Sequence, residues 1–313
     1  ASTSAGNAYS DFFEPDTTSA TVAASSIISA LENVHVTITT HNGAAGSGEP
    51  GNITVSSSLA NINTKSSGRR LTLFAAEDIT VSNTISSSGG PLDVRLRAQG
   101  NVVIDSNADI ITKGGEFKVS GSNDDGDADV EQSINAAAGS FKLSSGSEIN
   151  TTGGTDLPGG EVSIKTTVRP NTSLQNATDG DVEIFGNITT SGGTATSTGQ
   201  AGGSVSITAG VEGTTAGQII IDSGGNITTT GSNAGGSGNS AGGAGGSVTL
   251  DTNGENITLL DATISTGGGT QTGSGAAGNG GSITISDPLI IGSGVADATN
   301  TLSTGATSGD ITI

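Results

Sequence analysis

The densest concentration of oxygen ligands in this 313-residue chain is the run Asn123-Asp124-Asp125-Gly126-Asp127-Ala128-Asp129, followed by Glu131. Carboxylates gathered around a glycine turn suit calcium, a hard cation that takes about six to eight oxygens. The spacing matches neither an EF-hand loop nor the nonapeptide calcium repeat. Asp124, Asp125, Asp127 and Asp129 therefore stand as a candidate calcium site, against the simpler reading of a solvated loop, and no other cofactor is indicated. The two histidines offer less. His35 falls on an outward strand position and His41 in a turn, which suits solvated structural roles. No Gly-x-Ser-x-Gly elbow joins a strand to a helix, and every glycine pair leads into a strand or loop, so neither a serine hydrolase nor a phosphate-binding loop is supported.

The elements that must position these groups are short strands. Two small residues followed by an apolar–polar–apolar triplet recur at 114–119, 139–143, 159–164, 180–184, 202–207, 245–250, 280–285 and 309–313. A turn and a three-residue strand with one inward face, repeated over about 20 to 45 residues, is the pattern of a stacked β-solenoid. Later coils show the plan in full: Val205-Ser206-Ile207, Ile219-Ile220-Ile221 and Asn226-Ile227-Thr228 are followed by Val248-Thr249-Leu250, Ile257-Thr258-Leu259 and Ala262-Thr263-Ile264. The expected fold is all-β, a right-handed parallel β-helix with three short strands per coil. The first strand, Val34 to Ile38, alternates so that Val34, Val36 and Ile38 point inward and His35 and Thr37 outward. About 20–30 residues per coil predicts on the order of 10–13 coils.

Ala24, Ile27, Ile28 and Leu31 fit one face of a short helix over 22–32, which would cover the open end of the column. Two units follow: residues 1–33, an N-terminal segment with a capping helix, and residues 34–313, one solenoid. Tyr9, Phe12 and Phe13 are three of only seven aromatics, and such a cluster packs either on its own first coil or on another subunit. Ile311 and Ile313 lie on the last strand, where unpaired backbone invites another β-edge. These five residues are the candidate self-assembly positions. Asn-Ile-Thr occurs at Asn52, Asn187, Asn226 and Asn256, read chiefly as asparagine ladders in the turns and secondarily as glycosylation acceptors, as are Asn150, Asn171 and Asn176. The Gly/Ser/Thr/Ala loops 191–203, 231–247 and 265–281 all leave after the third strand, so they should project from one edge of the column.

Composition narrows the function. Hydrophobic residues make up 31% of the chain, enough for a thin column of stacked aliphatics but not for a thick globular core. With no cysteine, neither disulfides nor thiolate metal sites contribute. The net charge is −20, and the residues after Arg169 carry eleven carboxylates and no Lys or Arg. Such a surface repels nucleic acid and anionic lipid. No apolar stretch is long enough for a membrane-spanning helix, so membrane insertion is not expected. The first residue is Ala1, which fits either a processed export product, the favoured reading, or a fragment.

Residues 27–40 (Ile-Ile-Ser-Ala-Leu-Glu-Asn-Val-His-Val-Thr-Ile-Thr-Thr), Gly51-Asn-Ile-Thr-Val55, residues 71–81 and Ser88-Gly-Gly-Pro-Leu-Asp-Val-Arg-Leu96 together resemble the repeat region of filamentous-haemagglutinin-like surface proteins. These are bacterial β-helical exoproteins of the two-partner-secretion type. The resemblance covers about a third of the chain, and the Asn-Pro-Asn motifs of that family's secretion domain are absent. It implies an extracellular or cell-surface protein used for attachment or surface architecture, with no catalytic residues to carry over. The expected function is a non-enzymatic structural or adhesive solenoid, a surface fibre, a filament or a segment of a large adhesin. Its expected partners are further copies joined end to end, or host and surface glycans or proteins. The alternative is a carbohydrate-binding or carbohydrate-cleaving β-helix. For cleavage, Arg95 and Arg97 share a strand face and could act as the basic group, but no paired carboxylates are readable beside them.

Overall fold

The computed structural model describes residues 2–4, 10–14, 20–40, 51–65, 68–98, 100–120, 139–166, 180–210, 217–222, 224–292, 300–305 and 309–313. Each coil places one strand on each of three faces. Coil 1 comprises His35–Thr39, Ile53–Val55 and Leu59–Ile62, and coil 8 comprises Ile283–Ile285, Leu289–Ile291 and Thr301–Ser303. Strands on a face pair with those one coil before and after, and all of these pairings are parallel. A three-residue strand is too short to be stable alone. Its backbone groups are satisfied by the coils on either side, about 4.8 Å away.

Register carries the sequence alternation directly into a core. On the first face Val94, Phe117, Val162, Val205, Val248 and Ile283 stand over one another. Val102, Phe141, Val182, Ile219 and Ile257 do so on the second face, and Ile110, Ile149, Ile188, Ile227 and Ile264 on the third. All are essentially inaccessible to solvent. Each contributes roughly 1.5–3 kcal/mol relative to an exposed side chain, so a few aliphatics per coil suffice.

Among the described residues there are eight complete coils, not ten or more, and a ninth begins with Ile311–Thr312. The reason is coil size. Val94 and Phe117 are 23 residues apart, whereas Phe117 and Val162 are 45 apart, because insertions leave at the corners without adding a rung. Eight rungs span about 40 Å.

The helix Ala24–Leu31 closes the N-terminal end, with Ile27 and Leu31 buried in the core against coils 1 and 2. Ala23 makes no side-chain cap bond, so this short helix depends on packing. The preceding segment also joins the sheet. Ser10–Glu14 pairs in parallel with His35–Thr39, and Ser2–Ser4 lies antiparallel outside it. Thr37 points outward as expected but is buried, as are Thr39, Thr72, Phe74, Arg95 and Arg97. In coils 1–3 the first face is thus covered on both sides, and its strands in coils 2 and 3 run to seven residues.

Candidate functional site

Construction begins at the corners. Where the third strand ends, a buried hydroxyl turns inward and donates to the carbonyl of the glycine two positions before the next first-face strand. Ser87 bonds Gly90, Thr112 bonds Gly115, Thr151 bonds Gly160, Thr190 bonds Gly203, Thr229 bonds Gly246 and Thr266 bonds Gly281, all at 2.5–2.6 Å. Between donor and acceptor the chain makes anything from a tight turn (113–114) to a long excursion (230–245). The neck is the same in each case. Thr40 to Gly51, Thr166 to Gly180 and Thr252 to Glu255 repeat it at the corner between the first and second faces.

The paired glycines have two separate jobs. A Cβ on Gly160, Gly203, Gly246 or Gly281 would overlap the carbonyl of the corresponding glycine one coil earlier. One on Gly159, Gly202 or Gly245 would overlap the carbonyl of the neck threonine one coil later. Backbone meets backbone there, and only glycine fits.

The long loops behind the necks stack on one another. The outgoing arms are joined by Gly153 to Ser191, Asp156 to Thr194, Gly192 to Thr230, Gly231 to Gly267 and Ala234 to Thr270. The returning arms are joined by Gly199 to Ala241, Gly202 to Ala244, Gly242 to Ala276 and Gly245 to Asn279. Gly243 to Ser232, Gly269 to Gly243 and Gly278 to Gly269 tie the two arms together. Along an arm the inter-coil donors recur every third residue, the period of an extended polyproline-II-like chain. The result is a glycine-cored fin along one edge of the column. The triplets Ala241-Gly-Gly and Ala244-Gly-Gly carry its signal in the sequence.

Many carboxylates and amides are likewise structural. Asn52 accepts the Asp78 N–H at 2.9 Å, Asp78 the Asn101 N–H at 2.7 Å, and Asn101 the Ser140 N–H at 3.1 Å. Asp181 accepts the Gln218 N–H at 2.8 Å, and Asp109 the Glu148 N–H at 3.1 Å. Asn226 donates to Asn187 at 3.2 Å and accepts the Thr263 N–H at 3.1 Å, so these asparagines do form cross-coil links. Asp287 holds the turn 252–254 through the amides of Thr252 at 2.6 Å and Gly254 at 2.9 Å. Burial pushes its carboxyl up, but these bonds, with those of the Thr252 hydroxyl and the Asp251 side chain, outweigh it and leave the group below its ordinary value.

The residues singled out in the sequence do not converge on one site. Asp124, Asp125, Asp127 and Asp129 lie outside the described residues, in an insertion between Ser120 and Gly139, and so do Tyr9 and His41. Phe12 and Phe13 are on the Ser10–Glu14 strand, opposite Thr37 and Ile38. Ile311 and Ile313, at the far end, are 45% and 69% exposed. His35 accepts the Arg70 N–H on Nδ1 at 3.0 Å, and burial, reinforced by Arg70 and Arg69, lowers its pKa. Arg95 and Arg97 are 8% and 3% exposed, too enclosed to serve as a base on a sheet surface. Arg97 lies over the Phe74 ring at 4.9 Å and Arg95 reaches Glu116 at 4.0 Å. Among the described residues, no three His, Asp or Glu side chains are grouped to hold a metal ion, and no helix is long and apolar enough to cross a membrane.

The fold and its corners define a parallel β-solenoid. No protein-family model matches the chain, and no match is found among curated proteins or solved structures.

Proposed function

We propose that this chain is a non-enzymatic, extracellular rod of the filamentous-haemagglutinin-like kind, which holds projecting surfaces at fixed spacing on a bacterial cell surface or in a fibre. The observation that carries the reading is the single aliphatic column running in register through eight coils. Hydrogen bonding along one axis yields stiffness from little apolar material. The necks, the cross-coil ladders and the Asp287-held turn engage many of the polar groups around it, an arrangement suited to architecture. Adhesion then belongs to the outward faces and the fin.

End-to-end association of copies is the partner reading. Leu289–Ile291, Thr301–Ser303 and Ile311–Thr312 are each paired on one side, and Ile291 and Ile313 are 62% and 69% exposed at that edge. Sedimentation of the purified chain at rising concentration, with electron microscopy of the same samples, tests it. Growing filaments that shorten on Ile291→Asp or Ile313→Asp, or on deletion of residues 1–21, are expected. A strictly monomeric species at all concentrations removes the polymer reading. A reducing-sugar assay against acidic and neutral polysaccharides tests the non-enzymatic reading, and measurable turnover overturns it.

A further inference from the structure

We propose that the third face of coils 5–8 is a surface that binds lattice water, the growing face of ice. Its outward positions form three files. The first holds Asn187, Asn226, Thr263 and Thr301; the second holds Thr189, Thr228, Ser265 and Ser303. Ser191 and Thr230 begin the third, their hydroxyls 2.9 Å apart across the coils.

Three properties support this assignment, and the first of them separates this face from the other two. First, none of these outward positions is ionisable, although Asp222 and Asp261 stand at the adjoining corners. Over the same coils the first face is interrupted by Lys165 and Asp251, and the second by Glu183. A charge gathers its own radial hydration shell, whereas neutral hydroxyls and amides take waters at the positions the backbone sets. Second, the spacing is regular. Coils repeat at about 4.8 Å and alternate strand positions at about 6.7 Å, so the polar groups form a rectangular grid. β-Branched threonine, restricted at χ1, keeps its hydroxyl and methyl in place on such a grid. Third, the files hold no aromatic ring, which a sugar-binding face uses to stack pyranose rings. An ordered water lattice fits these features better than a glycan does.

The test is ice-growth measurement on the purified chain, by thermal hysteresis and by recrystallisation of polycrystalline ice. The parent chain is expected to facet ice crystals and to slow recrystallisation. Thr228→Lys and Thr263→Lys should abolish both effects, while Thr249→Lys on the first face should retain them, with circular dichroism showing the fold intact. Thr301→Lys, at an exposed position of coil 8, serves the same purpose if an interior substitution melts the column. Ice growth equal to that in an albumin control overturns the proposal, as does full activity in the third-face variants. Binding to a glycan array that the same substitutions remove also overturns it, by assigning the face to carbohydrate.

Discussion

Thr229 shows what one side chain contributes. Its hydroxyl is fully buried and its Gly246 acceptor lies across a 16-residue excursion. Thr229→Val keeps the shape but strands that carbonyl, and should cost about 1–3 kcal/mol, seen as a lower midpoint in chemical unfolding. Gly203→Ala should cost more than the same change at Gly238, around which a Cβ meets nothing. His35 makes a pH prediction. Its folded pKa lies below the unfolded value of 6.5, so the unfolded chain binds the proton more readily. The associated stability is fully present above pH 6.5 and is lost as pH falls toward the folded pKa. Protonating Nδ1 also displaces the Arg70 N–H. Melting temperature should therefore decline from pH 7.5 to 5, and His35→Gln should flatten that part of the curve. The Asp287 group acts in a lower window, below its ordinary 3.8, where protonation releases the 252–254 turn.

At the scale of elements, the neck separates loop length from coil geometry. Coil 3 closes it with Lys113-Gly114 alone. Replacing residues 230–245 by that pair should leave the melting temperature of the column nearly unchanged. The fin should respond instead, because Gly199, Gly202 and Gly269 donate to residues in the removed segment. Faster amide exchange at those three positions, with Val205–Thr208 still protected, is the expected pattern, and unchanged exchange would contradict the stacking of the loops. By composition alone, glycine-rich loops such as these are indistinguishable from flexible coil. Their order arises from neighbours 34 to 42 residues away in the adjoining coils, visible only as the weak Ala-Gly-Gly period.

For the whole molecule, equal register makes coils interchangeable. Val205 pairs with Val248, so deleting 205–247 joins Ser204 to a strand that continues the same face. The shortened chain should fold with an unchanged circular dichroism spectrum and lose one rung, about 4.8 Å, in its small-angle scattering length. Leu31→Ala at the plugged end should cost about 2–5 kcal/mol, since its side chain is fully buried between the helix and coil 1.

The chain's own pattern was sufficient for the solenoid, the three strands per coil, the inward aliphatics and the closing helix, because each follows from local alternation and from glycines at fixed offsets. Three features needed the tertiary structure. Coil number depended on which segments add a rung and which leave at a corner. The enclosure of Arg95 and Arg97 depended on coverage of an outward strand side, which alternation cannot reveal. The neck threonines look like ordinary turn residues until register brings them under the glycine carbonyls they bind, because the distance that matters runs across the chain's excursions and between coils, not along the sequence.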